Sequence, residues 1–307
     1  MTVLLEARDL SRYYGPVVGL NDLTLSIEEG VTGLLGPNGA GKSTFLKLVA
    51  GEIRPSRGSL RVLGHEPFAN REYFRRIGFS PQQDALYGEM TGLEFVEFLV
   101  RLSGFSRADA RARAGRAIER VGLAEAKDRR ASGYSKGMRQ RARLAQAIAH
   151  EPRFLIVDEP MTGLDPLARR EMTALFDELA AEGVSILISS HILHEVEGLT
   201  RNVVLLHRGR LLARGAVPEI RKLLSRNPRK VEVRARDARA LAAALVRSDH
   251  VLSVRLSPDG TTVQVETRDL DRFWSELPRT AADARAGLHT LESTDASLEA
   301  VFDYLVQ

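Results

Sequence analysis

The chain has 307 residues but no cysteine, one tryptophan and only 6% aromatic residues. Without cysteine it can form neither a disulfide framework nor a thiolate metal site. No apolar run reaches the roughly 18 residues that a membrane-spanning helix needs. The first residues also lack the basic region and long apolar stretch of a signal peptide. These absences predict a location in the cytoplasm.

The chain also lacks a strong excess of charge of either sign. The 44 Lys and Arg residues nearly balance the 40 Asp and Glu residues, which leaves a formal net charge of +4. So small and evenly spread a surplus gives no reason to expect nucleic acid as a partner. The hydrophobic share of 44% is ordinary for a globular protein, and the length allows two or three folding units.

The most informative segment that is present runs from Gly36 to Thr44 and fits the phosphate-loop pattern G-x-x-x-x-G-K-[ST]. Glycines let backbone N–H groups approach phosphate oxygens. Lys42 can reach the β- and γ-phosphates, and the Ser43 hydroxyl can ligate Mg²⁺. An apolar run at 31–35 and a helix-like run at 45–50 supply the strand, loop and helix that the motif requires. The candidate phosphate-binding residues are Gly36, Asn38, Gly39, Gly41, Lys42, Ser43 and Thr44.

The region before residue 216 alternates strand-like and helix-like segments, which predicts a layered α/β unit. Residues 88–151 are different and form a predicted helical insertion. Thr91 with Glu94, and Ser106 with Asp109, are the sequence signals of two helix N-termini.

The pattern restarts after Gly215–Pro218, so we expect domains at 1–215 and 216–307. In the second, Ala238–Val246 is typical of a helix, and Pro258–Gly260 predicts a hairpin. An apolar stripe at helical spacing follows near the C-terminus. We therefore predict a small α+β domain for 216–307.

Two carboxylates, Asp158 and Glu159, directly follow the apolar run Phe154–Val157. A carboxylate at the end of a buried strand can orient a Mg²⁺-bound water, and its neighbour can polarise the water that attacks the γ-phosphate. Alone, this pair would be interpreted as an acidic turn at the end of a strand.

The segment Tyr134–Arg141 resembles the signature motif L-S-G-G-Q of ATP-binding cassette (ABC) proteins. The resemblance covers about the first 215 residues and includes seven motifs in the family's order. Lys136 and Met138 depart from the common signature. The resemblance implies that Ser135 and Gly137 contact the γ-phosphate, and Ser135 is also a good helix N-cap.

The other motifs are carried over one at a time. Tyr14 stands where the family has an aromatic residue that stacks on adenine, and Tyr13 is the alternative. Gln82 matches the glutamine that senses Mg²⁺ and connects the core to the helical insertion, with Gln83 as the lower-ranked alternative.

Two further residues complete the set. Asp165 matches the aspartate loop that crosses the dimer interface, although its sequence context also predicts an N-cap before Pro166. His191, after the apolar run 184–188, matches the switch histidine that holds the γ-phosphate.

The resemblance implies an α/β P-loop NTPase (RecA-like) core with an antiparallel β subdomain and a helical insertion. Two such cassettes meet head to tail around two ATP molecules, and the second is a copy of this chain or a paralogue. Lys42, Glu159 and His191 are the implied catalytic residues. The residues implied to hold Mg²⁺ are Ser43, Gln82 and Asp158.

The leading hypothesis is an ATP-hydrolysing motor subunit that drives a separate transmembrane permease from the cytoplasmic face of the membrane. The short cassette and the C-terminal extension resemble bacterial exporters of the daunorubicin- and bacitracin-resistance type, and also copper-processing and sodium-export motor subunits. Candidate permease contacts near Gln82 are Phe79, Leu86 and Tyr87.

The alternatives are a non-transport cassette ATPase acting on DNA or ribosomes, and a regulatory nucleotide-binding module. The first is disfavoured by the lack of sustained heptads before the signature, and the second by the presence of Glu159. For the C-terminal domain we expect dimer support or regulation.

Overall fold

The computed structural model describes residues 2–82, 86–200, 202–220 and 229–293. The chain divides into two compact units, Met1–Val217 and Pro218–Gln307. The alternative Gln83 and the predicted apolar stripe 298–305 lie outside the described residues. Within those ranges, no helix combines the length and the apolar character that crossing a membrane requires.

The first unit contains an antiparallel sheet of three strands in the order β2-β1-β4. Its strands are β1 (Val3–Tyr14), β2 (Val17–Glu28) and β4 (Arg57–Val62). One face is apolar, because buried residues alternate with exposed ones along β2.

The central sheet has six strands in the order β5-β6-β7-β3-β8-β9. These strands are β3 (Val31–Leu35), β5 (Ile77–Ser80), β6 (Phe154–Val157), β7 (Ser185–Ser190), β8 (Asn202–His207) and β9 (Arg210–Ala216). All neighbours are parallel except the antiparallel pair β8 and β9. The carboxyl ends of β3, β5, β6 and β7 therefore meet at one edge of the sheet, where ligands bind in folds of this class.

Seven α-helices are described in the first unit. They are α1 (Lys42–Val49), α2 (Arg71–Phe74), α3 (Gly92–Leu102), α4 (Arg107–Arg120), α5 (Lys136–Ile148), α6 (Pro166–Ala181) and α7 (Leu193–Glu197). The predicted capping box at Thr91 and Glu94 is confirmed, and Ser106 caps α4 through the N–H of Asp109. Helices α3, α4 and α5 all lie within the stretch 88–151.

Strand β6 separates two apolar clusters. Leu155 and Val157 belong to the cluster that includes α3, α4, α5 and α6, whereas Phe154 and Ile156 belong to the cluster with α1 and the antiparallel sheet. All four side chains are buried. Burial is worth about 1.5–3 kcal/mol for each side chain of this size. The position of the residues that follow β6 is thereby fixed from both faces of the sheet.

In the second unit, residues 229–293 have the order β-α-β-β-α-β typical of ferredoxin-like folds. Its elements are β10 (Arg229–Ala235), α8 (Ala238–Leu245), β11 (Val251–Leu256), β12 (Thr262–Thr267), α9 (Leu270–Asp283) and β13 (Leu288–Ser293). The sheet order is β11-β12-β10-β13, with antiparallel neighbours throughout. The predicted hairpin between β11 and β12 is confirmed, as is the helix over 238–246, which ends one residue earlier.

Candidate nucleotide site

The N-terminus of α1 is open for an anion. Its N-cap is Gly41, and no side chain caps the helix. By contrast, Thr91, Ser135 and Asp165 cap α3, α5 and α6 through side-chain oxygens. The N–H groups in the first turn of any helix lack intrahelical acceptors, and those of α1, beginning at Lys42, point at the loop where phosphate would lie.

Glycine is required where the loop folds tightly. Gly41 has φ of 102°, and a Cβ atom there would lie 2.7 Å from the carbonyl oxygen of Gly19. A Cβ on Gly36 would lie 2.5 Å from the carbonyl oxygen of Leu206. Larger residues would therefore open the loop. The other predicted residues of this loop are Asn38, Gly39 and Ser43, which are exposed, and Thr44, which is half-buried.

The Lys42 side chain folds back across the loop. Its Nζ donates hydrogen bonds to the carbonyl oxygens of Gly36, at 2.7 Å, and Pro37, at 3.3 Å. The same atom lies 3.5 Å from Oε1 of Glu159. The ammonium group thus stands between the phosphate loop and the end of β6.

Glu159 is the point where the predicted catalytic residues meet. Its Oε2 accepts hydrogen bonds from Nε2 of Gln82, at 3.1 Å, and from Oγ1 of Thr162, at 3.2 Å. Nδ1 of His191 lies 3.3 Å from the same oxygen. The backbone of Glu159 has φ of 48°, a left-handed conformation that is costly for a residue with a side chain. The fold therefore gathers Gln82, Lys42 and His191 around one carboxylate.

Asp158 is held by a residue to which sequence reasoning gave no role. The buried Ser189, near the end of β7, donates to Oδ1 of Asp158 at 2.5 Å and accepts from the N–H of Glu159 at 2.8 Å. The neighbouring strand therefore orients the Asp158 carboxylate and holds the backbone of Glu159. The position of Ser189 directly before Ser190 and His191 was the sequence signal for such a role. It could be interpreted only with the order of the strands in the sheet.

The residues predicted to hold Mg²⁺ fit it by their chemistry. Mg²⁺ prefers oxygen ligands and is usually bound through one or two carboxylates together with substrate phosphates. Hydroxyl, amide and carboxylate oxygens come from Ser43, Gln82 and Asp158. Within the described ranges no group of three or more His, Cys, Asp or Glu side chains could hold a metal by itself. An ion here would complete its coordination with phosphate oxygens and waters.

Tyr14 lies beside the end of the phosphate loop. A Cβ on Gly19 would meet Cε2 of Tyr14 at 2.9 Å and Oγ1 of Thr44 at 3.0 Å, so both side chains border the same backbone. Tyr14 is 41% exposed, and the Arg12 guanidinium lies 4.9 Å from the centroid of its ring. The alternative, Tyr13, is half-buried. Tyr14 therefore has the open ring that a base would need.

The signature residues Ser135 and Gly137 contact parts of the chain other than the phosphate loop. Ser135 caps α5 through the N–H of Met138, and none of the described hydrogen bonds or ion pairs joins Ser135 or Gly137 to residues 36–44. A Cβ on Gly137 would lie 3.4 Å from Cδ2 of Leu164, so the signature borders the aspartate loop instead. Asp165 is exposed and caps α6.

Lys136, the unusual residue of the signature, also lies against the aspartate loop. A Cβ on Gly163 would lie 2.4 Å from its Nζ atom. Gly163 has φ of 75°, so its backbone conformation favours glycine there. The departure from the common signature therefore places the ammonium group of Lys136 beside the aspartate loop.

The cluster has the parts that phosphoryl transfer to water requires. Lys42 supplies positive charge beside the phosphate loop, and Glu159 can accept a proton from an attacking water. Gln82, Thr162 and His191 fix the orientation of that carboxylate, so little reorganisation is needed when the reaction occurs.

Comparison with known proteins agrees with this geometry. The profile of the ABC transporter family matches residues 20–162. The chain is 32% identical over 290 residues to the daunorubicin/doxorubicin resistance ATP-binding protein DrrA of Streptomyces peucetius, which covers 93% of this chain and 88% of DrrA. It is 31% identical over 309 residues to the bacitracin transport ATP-binding protein BcrA of Enterococcus faecalis, covering 100% of this chain and 97% of BcrA.

A solved structure of the ATP-binding subunit of an ABC transporter is 34% identical, with a TM-score of 0.64. It covers 71% of this chain and 92% of its own length. Together with an open phosphate loop and a carboxylate poised beside Lys42, these matches show that the chain belongs to the ABC transporter ATP-binding proteins and is an ATP-binding, ATP-hydrolysing transporter subunit.

Proposed function

We propose that this chain is the motor of an exporter, in which two cassettes close head to tail around two ATP·Mg²⁺ and drive a separate permease. The observation that carries the proposal is a division of the site. Lys42, Glu159 and His191 are gathered in one place, whereas Ser135 is exposed and, among the described hydrogen bonds, is bonded only within its own helix. A second cassette would bring its Ser135 to the open phosphate loop.

In the proposed cycle, the phosphates replace the carbonyl oxygens that Lys42 now binds, and the N-terminus of α1 receives their negative charge. Ser43, Gln82 and Asp158 would hold Mg²⁺, which would neutralise charge on the phosphate oxygens. Glu159 accepts the proton of the attacking water. His191 orients Glu159 and donates toward the γ-phosphate.

Mixing two inactive variants tests the head-to-tail site. Lys42→Met removes the phosphate lysine, and Ser135→Arg blocks the signature. Each variant alone should hydrolyse ATP at a background rate. An equimolar mixture should regain activity, because a mixed dimer contains one site with both residues intact.

The matched control is a mixture of Lys42→Met with Glu159→Gln. Both changes lie in the same half of the site, so no mixed dimer has an intact site and phosphate release should stay at background. Lack of recovery in the first mixture, with wild-type chain active in the same assay, would contradict the head-to-tail arrangement.

We propose that the permease docks beside Gln82 at Tyr87. Tyr87 is 56% exposed, and its ring centroid lies 6.1 Å from that of Phe95 and 5.9 Å from that of Phe98. By contrast, Phe79 and Leu86 are partly buried and pack against the apolar clusters. Among the three predicted contacts, Tyr87 has the most surface for a partner.

The test compares Tyr87→Ser with Leu102→Ser, a control residue that is 69% exposed at the end of α3. Tyr87→Ser should leave ATP hydrolysis by the isolated chain unchanged and abolish capture of the chain by permease-containing membranes. Leu102→Ser should leave both unchanged. Equal capture of all three proteins would contradict docking at Tyr87.

Export as the direction of transport, and the domain roles, are further parts of the proposal. The resistance named for DrrA supports export, and the match to BcrA covers the whole chain, including residues 216–307. We assign 1–215 to ATP hydrolysis and 216–307 to dimer support or regulation. Removing residues 218–307 should shorten the lifetime of the ATP-bound dimer that Glu159→Gln traps, measured by gel filtration.

A further inference from the structure

We propose that Arg169 and Glu195 form a positioning pair that couples the aspartate loop, residues 163–165, to the switch histidine His191. Contact of a second cassette with the loop would then set the orientation of His191 beside Glu159. This inference rests on the proposed head-to-tail dimer.

One end of the pair holds the aspartate loop. Arg169 lies in the first turns of α6, which begins directly after Asp165. Its Nε donates to the carbonyl oxygen of Leu164 at 3.1 Å. Its Nη1 lies 3.0 Å from Oε1 of Glu195. The rigid guanidinium fork therefore fixes the loop backbone and a carboxylate of α7 at the same time.

The other end holds the segment that carries His191. Oε2 of Glu195 accepts a hydrogen bond from Oγ of Ser190 at 2.7 Å. The same Oγ accepts from the N–H of Ile192 at 3.0 Å. Ser190 and Ile192 flank His191, so the Glu195 carboxylate determines how this turn is held. His191 in turn contacts Glu159, with 3.3 Å between Nδ1 and Oε2.

Burial separates this pair from ordinary surface ion pairs. The Glu195 side chain is 6% exposed and that of Arg169 is 37% exposed. A nearly buried carboxylate is costly unless a cation or hydrogen bonds compensate it. Exposed pairs such as Arg8 with Glu6, at 68% and 41% exposure, contribute little by comparison. A nearly buried, compensated carboxylate therefore lies beside the catalytic cluster.

The position of α7 makes the pair suitable for transmitting a displacement. Val196, the neighbour of Glu195, is 1% exposed and packs on Gly33 of β3, where a Cβ would lie 2.1 Å from its Cγ1. Since α7 is fixed on the strand that leads into the phosphate loop, a shift of the aspartate loop reaches His191 through the pair and not through movement of the whole helix.

A double-mutant cycle in the full chain tests the coupling, because contiguity alone does not establish it. The variants are Arg169→Met, Glu195→Gln and both together. Each single change should lower kcat for ATP hydrolysis by about ten-fold with little change in KM, and the double change should be no worse than either. The Hill coefficient for ATP should fall toward one.

The matched control is Arg170→Met, at the next position of α6, where the side chain is exposed. It should leave kcat and the Hill coefficient unchanged. Glu159→Gln combined with Arg169→Met should still form the ATP-bound dimer, since the pair positions His191 and does not hold ATP.

Additive losses in the double variant, or an unchanged kcat and Hill coefficient in Arg169→Met, would overturn the coupling. So would a loss of kcat that matches the loss of folded protein in thermal unfolding. If the variant mixture of Lys42→Met and Ser135→Arg fails to regain activity, it is the proposed dimer that fails. If that mixture regains activity but Arg169→Met leaves kcat and the Hill coefficient unchanged, the dimer stands and only the coupling is refuted.

Discussion

Nζ of Lys42 lies 3.5 Å from Oε1 of Glu159, and both side chains are nearly buried, at 6% and 8% exposure. The phosphate lysine and the candidate general base therefore compensate each other's charge. Removing one partner of such a pair leaves a buried charge uncompensated. In the proposed cycle, binding of a γ-phosphate draws Lys42 from these contacts and frees the carboxylate for water.

Lys42→Met should weaken ATP binding by about 10²-fold, since it removes charge-assisted hydrogen bonds to phosphate. It should also lower the free energy of unfolding of the nucleotide-free chain, because Glu159 loses its cation. Titration calorimetry and urea unfolding measure the two effects. Lys47→Met, on the exposed side of the same helix, is the control and should change neither.

At Glu159, activity requires a side chain that the left-handed backbone disfavours, so we expect activity and stability to conflict there. Its φ of 48° disfavours any residue with a Cβ atom. Glu159→Gly should therefore be more stable than Glu159→Ala by about 1 kcal/mol, although both lose hydrolysis. At the neighbouring Asp158, which lies outside the left-handed region, the order should reverse, with Asp158→Ala the more stable.

Urea unfolding of the Gly and Ala variants at Glu159 and at Asp158 measures these differences. Equal stabilities for Glu159→Gly and Glu159→Ala would show that the left-handed backbone costs nothing at this position. Strain of this kind concentrates at functional sites, where the surrounding structure maintains it.

Local signals explain why much of the site could be predicted from the sequence. The phosphate loop and the capping box of Thr91 and Glu94 depend on residues within a few positions of one another. The bond from Ser189 to Asp158 joins residues 31 positions apart, and it exists because β7 and β6 are neighbours in the sheet. Strand order is not contained in hydrophobic periodicity, so contacts of this kind, including Arg169 with Glu195, could not be predicted.

Tyr14 should contribute to binding of the base alone. Tyr14→Ala should raise the Kd for ATP by about ten-fold, the loss expected for one stacked base, and leave the Kd for inorganic triphosphate unchanged. Tyr14→Phe keeps the ring and should bind ATP as the wild type does. Calorimetric titration with both ligands separates the base from the phosphates.

Tyr13→Ala is the paired control for that measurement. Its N–H bonds to Oγ of Ser56 and its ring is half-buried, so ATP affinity should not change. If Tyr13→Ala weakens ATP binding and Tyr14→Ala does not, the adenine assignment moves to Tyr13.

His150 should make the stability of the chain depend on pH. Burial lowers its pKa, and Nε2 lies 2.7 Å from the carbonyl oxygen of Ile77 in the strand that leads to Gln82. The unfolded chain therefore binds a proton, at a pKa of about 6.5, before the folded chain does. Stability is full above that pH and falls as pH decreases from there toward the lower folded pKa, by up to about 1.4 kcal/mol per pH unit.

His150→Gln should unfold with a flatter pH dependence between pH 5 and 7 in urea titrations. The control is His65→Gln, whose ring makes no described side-chain hydrogen bond and which should keep the wild-type slope. A wild-type slope in His150→Gln would place the pH dependence elsewhere in the chain.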